Sequence, residues 1–279
     1  AEEIIAALRH RGITTIKGDL RIDTSLYDGP ACSPSWAPAD LNEAYGTGSH
    51  ALNFRRNASG GRAVRNPESV FLSYLSSRLR GAGIEVLGAT DVGDRGLTDK
   101  DATLLIDHVS DKYAEVMRSC MMRSDNLFAE CLLRAFGIAR GREGSTSESA
   151  EEMLEYWKDS GVPTQGVNLV DGSGLSRSNR VTADFINGIL RKMGGNDEYA
   201  SFMPLAGQEG TLSEFLKDTA LDAYVAMKTG SMKGIQCYAG YKLDEEFAPT
   251  HSIVIIMNGI GPRGAARKAA ERLLLDVFE

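Results

Sequence analysis

The sequence predicts an α/β-type fold, an antiparallel sheet covered by helices, with a smaller α/β accessory region before about residue 100. Three observations predict it. The last third holds strand-like runs at residues 223–227, leading into Lys228, at 236–243 and at 251–257, joined by short turns and therefore antiparallel. Helix-patterned stretches precede and follow them, which is the arrangement of a sheet with covered faces. A polar stretch rich in Gly and Asp, Asp91 to Lys100, reads as an inter-domain crossing. It sets residues 1–100 apart as the accessory region and 101–279 as the sheet domain.

Composition bounds the function. The chain has 279 residues, 42 % hydrophobic and 25 % charged, ordinary for a protein that builds a core. Its net charge is −7 and no basic block or stripe occurs, which argues against nucleic acid and anionic membrane surfaces as partners. No apolar run approaches the roughly 18 residues of a transmembrane segment. The opening Ala1-Glu2-Glu3 leads into an amphipathic helix and does not read as a signal peptide, as expected of a mature or shortened chain. Cys32, Cys120, Cys131 and Cys237 are too few and too scattered for a disulfide framework or a zinc ribbon. His10, His50, His108 and His251 form no ligand pattern, so no metal is expected. Neither G-x-G-x-x-G nor G-x-x-x-x-G-K-[ST] occurs, and no cofactor is expected.

In chain order, Glu2 to His10 is a helix with Ile4, Ile5 and Leu8 on one face, closed by Gly12. Residues 13–23 are β-rich and broken by Gly18, a bent strand or a pair. Residues 27–48 are an ordered irregular loop pinned by Trp36 and Tyr45. Asn57 to Gly61 is a linker or a tight excursion. Asn66-Pro67 starts a helix whose core face is Val70, Phe71, Tyr74, Leu75 and Leu79, and residues 84–87 form a short strand. Residues 111–139 are two helical registers, Tyr113/Val116/Met117, then Leu127/Phe128/Cys131/Leu132/Phe136. Ser124 falls between them as a plausible cap, with Asp125 in the first turn. A capped acidic helix spans 147–160 with Met153, Leu154 and Trp157 inward. Residues 167–170 are a short strand leading into Asp171-Gly172-Ser173-Gly174. Thr182 caps a helix carrying Phe185, Ile186, Ile189, Leu190 and Met193, and the last helix spans 264–278.

The chemistry centres on Lys228-Thr229-Gly230. A strand end there lines up an ammonium, a hydroxyl and a bare backbone, which suits a carboxylate beside an amide. Alone, such a triplet is more often an ordinary strand end than a site. Read with Ser124-Asp125-Asn126 at a helix start, it completes two thirds of the S-x-x-K, S-D-N, K-T-G set of serine acyl-transferases. Ser124 by itself reads first as a helix cap.

RSDNLFAECLLR, DGSGLSRSN, GQEGTL and MKTGSMKGIQCYAGY resemble the low-molecular-mass class C penicillin-binding proteins, the D-Ala-D-Ala carboxypeptidases and endopeptidases of the cell wall. So do GITTIKGDLRID, the Trp-Pro loop to YGTGSHALNF, and RNPESVFLSYLSSRLRGAGIEVLG. The resemblance runs in family order over nearly the whole chain. Two departures stand out. No serine has a lysine three residues on, so the family's S-x-x-K segment is missing from this sequence. Only Arg55 to Arg65 stands where family members carry a sizeable inserted domain. An incomplete chain, a processed fragment and a natural pseudoenzyme all fit these departures.

The resemblance implies a penicillin-binding, transpeptidase-like domain at 101–279 that acts on peptidoglycan stem peptides ending in D-Ala-D-Ala and reacts with β-lactams. It implies a periplasmic or otherwise extracytoplasmic location. Ser124 would relay the proton to the leaving amine. Asn126 would hold the substrate carbonyl and steady the general-base lysine. Lys228 would attract the terminal carboxylate and Thr229 would hydrogen-bond it. Gly230 would leave room for substrate along the strand, and the Ser231 N–H would form half of the oxyanion hole. Ser173 lines the pocket or merely sits in a tight turn. A β-lactamase or esterase on the same scaffold, and a non-catalytic peptidoglycan-binding relative, are the alternatives.

Overall fold

The computed structural model describes residues 1–93 and 102–279. The chain forms two compact units that do not follow a single cut near residue 100. The first is residues 1–110, 130–150 and 171–177; the second is 111–129, 151–170 and 178–279.

In the first unit, helix α1 (Glu2–His10) is followed by β1 (Thr15–Ile16) and β2 (Leu20–Asp23). The excursion at 57–61 is a hairpin of β3 (Ala58–Ser59) and β4 (Arg62–Ala63). Helix α2 (Pro67–Gly81) leads to β5 (Glu85–Val86) and β6 (Thr90–Gly93). β1 pairs in parallel with β5, and β2 with β6. Ile5 and Leu8 of α1 pack with Leu75 and Leu79 of α2 and with Ile84.

Three sequence expectations change here. Residues 91–93, assigned to a crossing, belong to β6, because they continue the parallel register with β2; 94–100 lie outside the described residues. On α2, Leu72 is buried and Val70 is 43 % exposed, since the inward stripe runs 72–75–79. Trp36 is buried and pins the 27–48 loop through Nε1, which donates to Asp171 Oδ2 at 2.8 Å. Tyr45 is 50 % exposed, and its hydroxyl donates to Asp40 Oδ1 in its own loop at 2.9 Å.

In the second unit, α3 (Tyr113–Arg123) buries no residue, and Tyr113 is 69 % exposed. Tyr113 is therefore not part of the inward register expected of this helix, whereas Val116 and Met117 are half-buried and Met121 packs against the core that holds Leu190 and Tyr241. Helix α4 (Asn126–Ala139) begins in this unit and continues into the first. Helix α5 (Thr146–Asp159) begins in the first unit, where Ser145 Oγ caps it by accepting from Glu148 N at 3.2 Å, and continues into the second. Residues 167–170 make one bridge, Asn168 to Arg180, and not a strand. Helix α6 (Ala183–Met193) is capped by Thr182, whose Oγ1 accepts from Phe185 N at 3.1 Å. Helix α7 (Asp197–Ser201) precedes the sheet.

The sheet is β7 (Val225–Met232), β8 (Ile235–Leu243) and β9 (Pro249–Asn258), antiparallel and in chain order, and α8 (Arg263–Phe278) follows. Period-2 alternation splits β7 between two cores. Val225 and Met227 pack with Tyr238, Ile253 and the α8 residues Ala270 and Leu274. Ala226 packs with Tyr241, Leu243 and Leu190 of α6. The sheet is thus covered on both faces. Gly240 leaves no space for a side chain, since a Cβ there would lie 2.0 Å from Ala226 O.

Candidate active site

The loop between α3 and α4 is two residues long. Asp125 N donates back to Cys120 O at 3.1 Å, ending α3. Asp125 Oδ1 accepts from Phe128 N at 3.3 Å. Asp125, not Ser124, therefore caps α4; a side-chain oxygen one residue before Asn126 is the one placed to reach that N–H. Ser124 occupies the turn itself at φ 53°, ψ 53°, a left-handed conformation unusual for a non-glycine residue. Its side chain is exposed and caps nothing. Asn126 follows as the first, half-buried residue of α4.

β7 delivers Lys228 to this turn. Lys228 Nζ donates to Ser124 Oγ at 2.8 Å, across 104 residues of chain. It also donates to Thr229 O. Burial pushes the ammonium below its usual pKa, and the nearby Cys120 thiol opposes that shift. Cys120 is itself pushed up to about 11 by burial and then by the Asp125 carboxylate. Because Ser124 accepts from the ammonium, its own proton can be directed elsewhere.

The strand edge beside Lys228 has a readable orientation. Leu243 N donates to Tyr224 O at 2.8 Å, which makes that pair hydrogen-bonded. In the regular β7–β8 register every second residue from there, 226, 228 and 230, also faces β8. Residues 225, 227, 229 and 231 therefore turn their N–H and C=O groups outward. Two of those groups are taken: Ala206 N donates to Val225 O at 2.8 Å and Met227 N to Pro204 O at 3.1 Å. Past them, Gly230 and Ser231 are exposed. Thr229 Oγ1 donates to Thr211 Oγ1 at 2.9 Å. Thr211 has no place in the predicted site, although GQEGTL contains it.

Ser173 belongs to the first unit and is engaged there. Its N–H donates to Glu130 Oε1 at 2.8 Å, and its hydroxyl accepts from Leu175 N at 3.3 Å. Asp171 closes the same turn by accepting from Gly174 N at 2.8 Å and Ser176 N at 2.6 Å. Burial, with Asp171 adding to it, raises the Glu130 carboxyl to about 7, against the opposing hydrogen bonds from Ser173 and Gly172. The buried Glu130 and Arg134 do not stand out in the sequence. Their one available signal is an i, i+4 acid–base spacing set inside the apolar run of α4.

Among the described residues, no group of three or more His, Cys, Asp or Glu side chains is placed to hold a metal ion. No described helix is long and apolar enough to cross a membrane.

A family model described as the D-Ala-D-Ala carboxypeptidase 3 (S13) family matches residues 1–60 and 55–277. The two matched segments meet at the β3–β4 hairpin. The "Carboxypeptidase DacB" of Mycolicibacterium smegmatis is 31 % identical over 271 residues, 92 % of this chain and 57 % of the relative. A "D-alanyl-D-alanine carboxypeptidase" of an Actinomadura species is 31 % identical over 201 residues, 69 % of this chain and 37 % of the relative. The chain thus spans between about a third and three fifths of these curated relatives. In fold, the chain is similar to the crystal structure of penicillin binding protein 4 (dacB) from Haemophilus influenzae. The TM-score is 0.88 at 21 % identity, over 99 % of this chain and 78 % of that one.

Proposed function

The chain belongs to the D-Ala-D-Ala carboxypeptidase 3 (S13) family, and from that premise we propose that it carries the proton-relay and carboxylate-binding part of a serine acyl-transferase site. The substrate class is the peptidoglycan stem peptide ending in D-Ala-D-Ala, and β-lactams are inhibitors. The reaction is carboxypeptidase or endopeptidase cleavage through an acyl-serine, at an extracytoplasmic location where that substrate lies. The observation that carries this is the 2.8 Å bond from Lys228 Nζ to Ser124 Oγ at a sheet edge that continues into exposed Gly230 and Ser231.

Each residue's part follows from its position. A peptide lying along β7 beyond Met227 meets outward backbone groups of Thr229 and Ser231, the geometry of strand addition. Gly230 presents no side chain to obstruct it. Lys228 supplies a positive potential for the terminal carboxylate, and the Thr229 hydroxyl donates to it. The Ser231 N–H is aimed outward and serves as one oxyanion donor; such donors are worth roughly 3 kcal/mol in activation energy. Ser124, held by Lys228, passes a proton to the leaving amine. Asn126, next in the chain, orients the substrate carbonyl through its amide. No serine among residues 1–279 has lysine three residues on, so in this reading the attacking serine and its lysine would have to be supplied by an S-x-x-K stretch that these residues do not include. Ser173 has no part in this assignment, since its turn accounts for it.

Intact-protein mass spectrometry after incubation with benzylpenicillin tests the assignment. The 279-residue chain alone gives no penicilloyl adduct. Adding an S-x-x-K segment, in the same chain or as a second one, restores labelling, with the adduct on that segment's serine. An adduct on Ser124 would overturn both the relay role and the external nucleophile.

A further inference from the structure

Thr211 lies at the tip of a segment whose backbone is held in an unusual state. Between residues 207 and 223, five residues are left-handed: Gly207 (φ 73°), Gly210 (φ 52°), Leu216 (φ 55°), Asp218 (φ 59°) and Ala223 (φ 63°). Non-glycine residues hold such angles where surrounding structure over-determines them, a feature that clusters at ligand clamps. Here the surrounding structure is explicit. Leu212, Phe215, Leu216 and Leu221 are buried in the core shared with α8. Asp222 accepts from Gln208 Nε2 at 2.7 Å and from Asp218 N at 2.9 Å. At Gly210 a Cβ would lie 2.7 Å from Met122 O of α3, so the strap passes tightly against the helix that ends at Ser124.

The result of this anchoring is that exposed Thr211, which adds nothing to the core, has its hydroxyl 2.9 Å from that of Thr229. A threonine hydroxyl has one proton and two acceptor sites. In the unliganded strand Thr229 spends its proton on Thr211. A carboxylate bound at Thr229 needs that proton, because a carboxylate only accepts. The bond between the two threonines must then reverse, with Thr211 donating into Thr229 Oγ1. Two hydroxyls can make that exchange by rotation alone, and a donated bond strengthens the outgoing one.

We propose that Thr211 is a positioning residue for carboxylate recognition. It fixes the Thr229 side chain before binding and becomes its donor afterwards. This rests on reading Lys228-Thr229-Gly230 as the carboxylate-binding edge.

The test uses the 279-residue chain, with N-acetyl-D-Ala-D-Ala and its C-terminal amide as probes, followed by NMR titration. Thr211→Val weakens the acid roughly fivefold, the worth of one net hydrogen bond, and leaves the amide unchanged. Thr211→Ser stays within about twofold of the parent for both. In Thr229→Val, adding Thr211→Val changes nothing further, because the two residues act as one unit. Equal losses for acid and amide, or additive losses in the double variant, overturn the proposal. The Thr229 χ1, read from three-bond couplings without ligand, separates this from the function itself. It is a single rotamer in the parent and in Thr211→Ser, and averaged in Thr211→Val. An unaveraged χ1 in Thr211→Val overturns the positioning role whether or not ligand binds. Failure of the parent chain to bind either probe counts against the carboxylate edge.

Discussion

Arg134 in the first unit and Lys228 in the second are both cations that burial pushes below their usual pKa, and they end in opposite situations. Arg134 is 1 % exposed. Its guanidinium donates to Asp28 O and Gly144 O, each at 3.1 Å, to Thr146 Oγ1 at 3.0 Å, and to Pro30 O. The Tyr27 ring lies 4.9 Å from its Cζ. Such a group is saturated by its own chain and fastens the 27–30 loop to α4 and α5. Lys228 instead donates to one hydroxyl and one carbonyl, on a strand that becomes exposed two residues later, at Gly230. A charge whose partners are complete is structural; a charge beside an open edge is available to a ligand.

The largest expected effect tests the structural half of that contrast. Arg134→Met keeps volume and removes every donor, leaving buried carbonyls without partners. Breaking a buried, hydrogen-bonded charge site in this way costs about 3–5 kcal/mol. Urea denaturation should show a correspondingly lower midpoint. A loss under about 1 kcal/mol would mean that the carbonyls find water and that Arg134 is not the fastening.

Glu130 sharpens the same half through pH. Its folded pKa, about 7, lies above the ordinary value of 4.5, so the folded chain binds the proton more tightly than the unfolded one. The stability tied to this group is complete below pH 4.5 and is lost as pH rises toward 7. The full change is on the order of 3 kcal/mol. Glu130→Gln, which keeps the Oε1 acceptor for Gly172 and Ser173, should abolish that fall between about pH 5 and 8. Parallel pH profiles of melting temperature for the two proteins would refute it.

Lys228→Ala tests the other half. In a chain supplied with the S-x-x-K segment, acylation by penicillin should fall more than roughly 10²-fold, because the carboxylate loses its charged partner in a partly desolvated site. The melting temperature should barely move, unlike that of Arg134→Met. The lowered pKa adds a direction in pH: carboxylate binding weakens as pH rises through a range where an ordinary lysine would still be charged. A carboxyl-terminal amide ligand should show no such dependence. Unchanged acylation with a large drop in melting temperature would make Lys228 another Arg134.

The same contrast explains what could be read in the sequence. The sheet was legible because β7, β8 and β9 are long, alternate cleanly and are joined by short turns, and Thr182 caps α6 as its position suggests. The first unit was less legible. Apart from the β3–β4 hairpin, its strands are two to four residues long and pair across about 70 residues, as Thr15 does with Glu85, which local periodicity cannot register. Glu130 and Arg134 look like solvated residues of an amphipathic helix; their burial depends on backbone carbonyls and N–H groups from loops at 28–30 and 172–173, remote in sequence. At the site, Ser124 and Lys228 stood out by motif, whereas Thr211 and Cys120 matter through contacts that have no sequence spacing. Ser before a helix is usually its cap, which is why Ser124 reads as one; Asp125, one residue nearer, makes that bond.

The smallest expected effect concerns Ser124 and has an unusual sign. At φ 53° a residue with a Cβ is strained, and a helix end in this conformation is normally glycine. Ser124 is exposed, so its replacement opens no cavity. Ser124→Gly relieves the strain but gives the unfolded chain more freedom to lose. The left-handed penalty, about 1 kcal/mol or more, outweighs that added freedom, so the variant should gain a few tenths to about 1 kcal/mol in stability. It also removes the hydroxyl from Lys228, so relay-dependent turnover of a peptide substrate should fall by roughly 10²-fold or more, the scale of lost acid–base assistance. Ser124→Ala keeps the strain and loses the hydroxyl, and should therefore lose activity without gaining stability. That pair of variants separates conformation from chemistry. If Ser124→Gly is destabilised as much as Ser124→Ala, or more, the hydroxyl's bond to Lys228 is a structural tie, and the difference between the two units disappears at this residue.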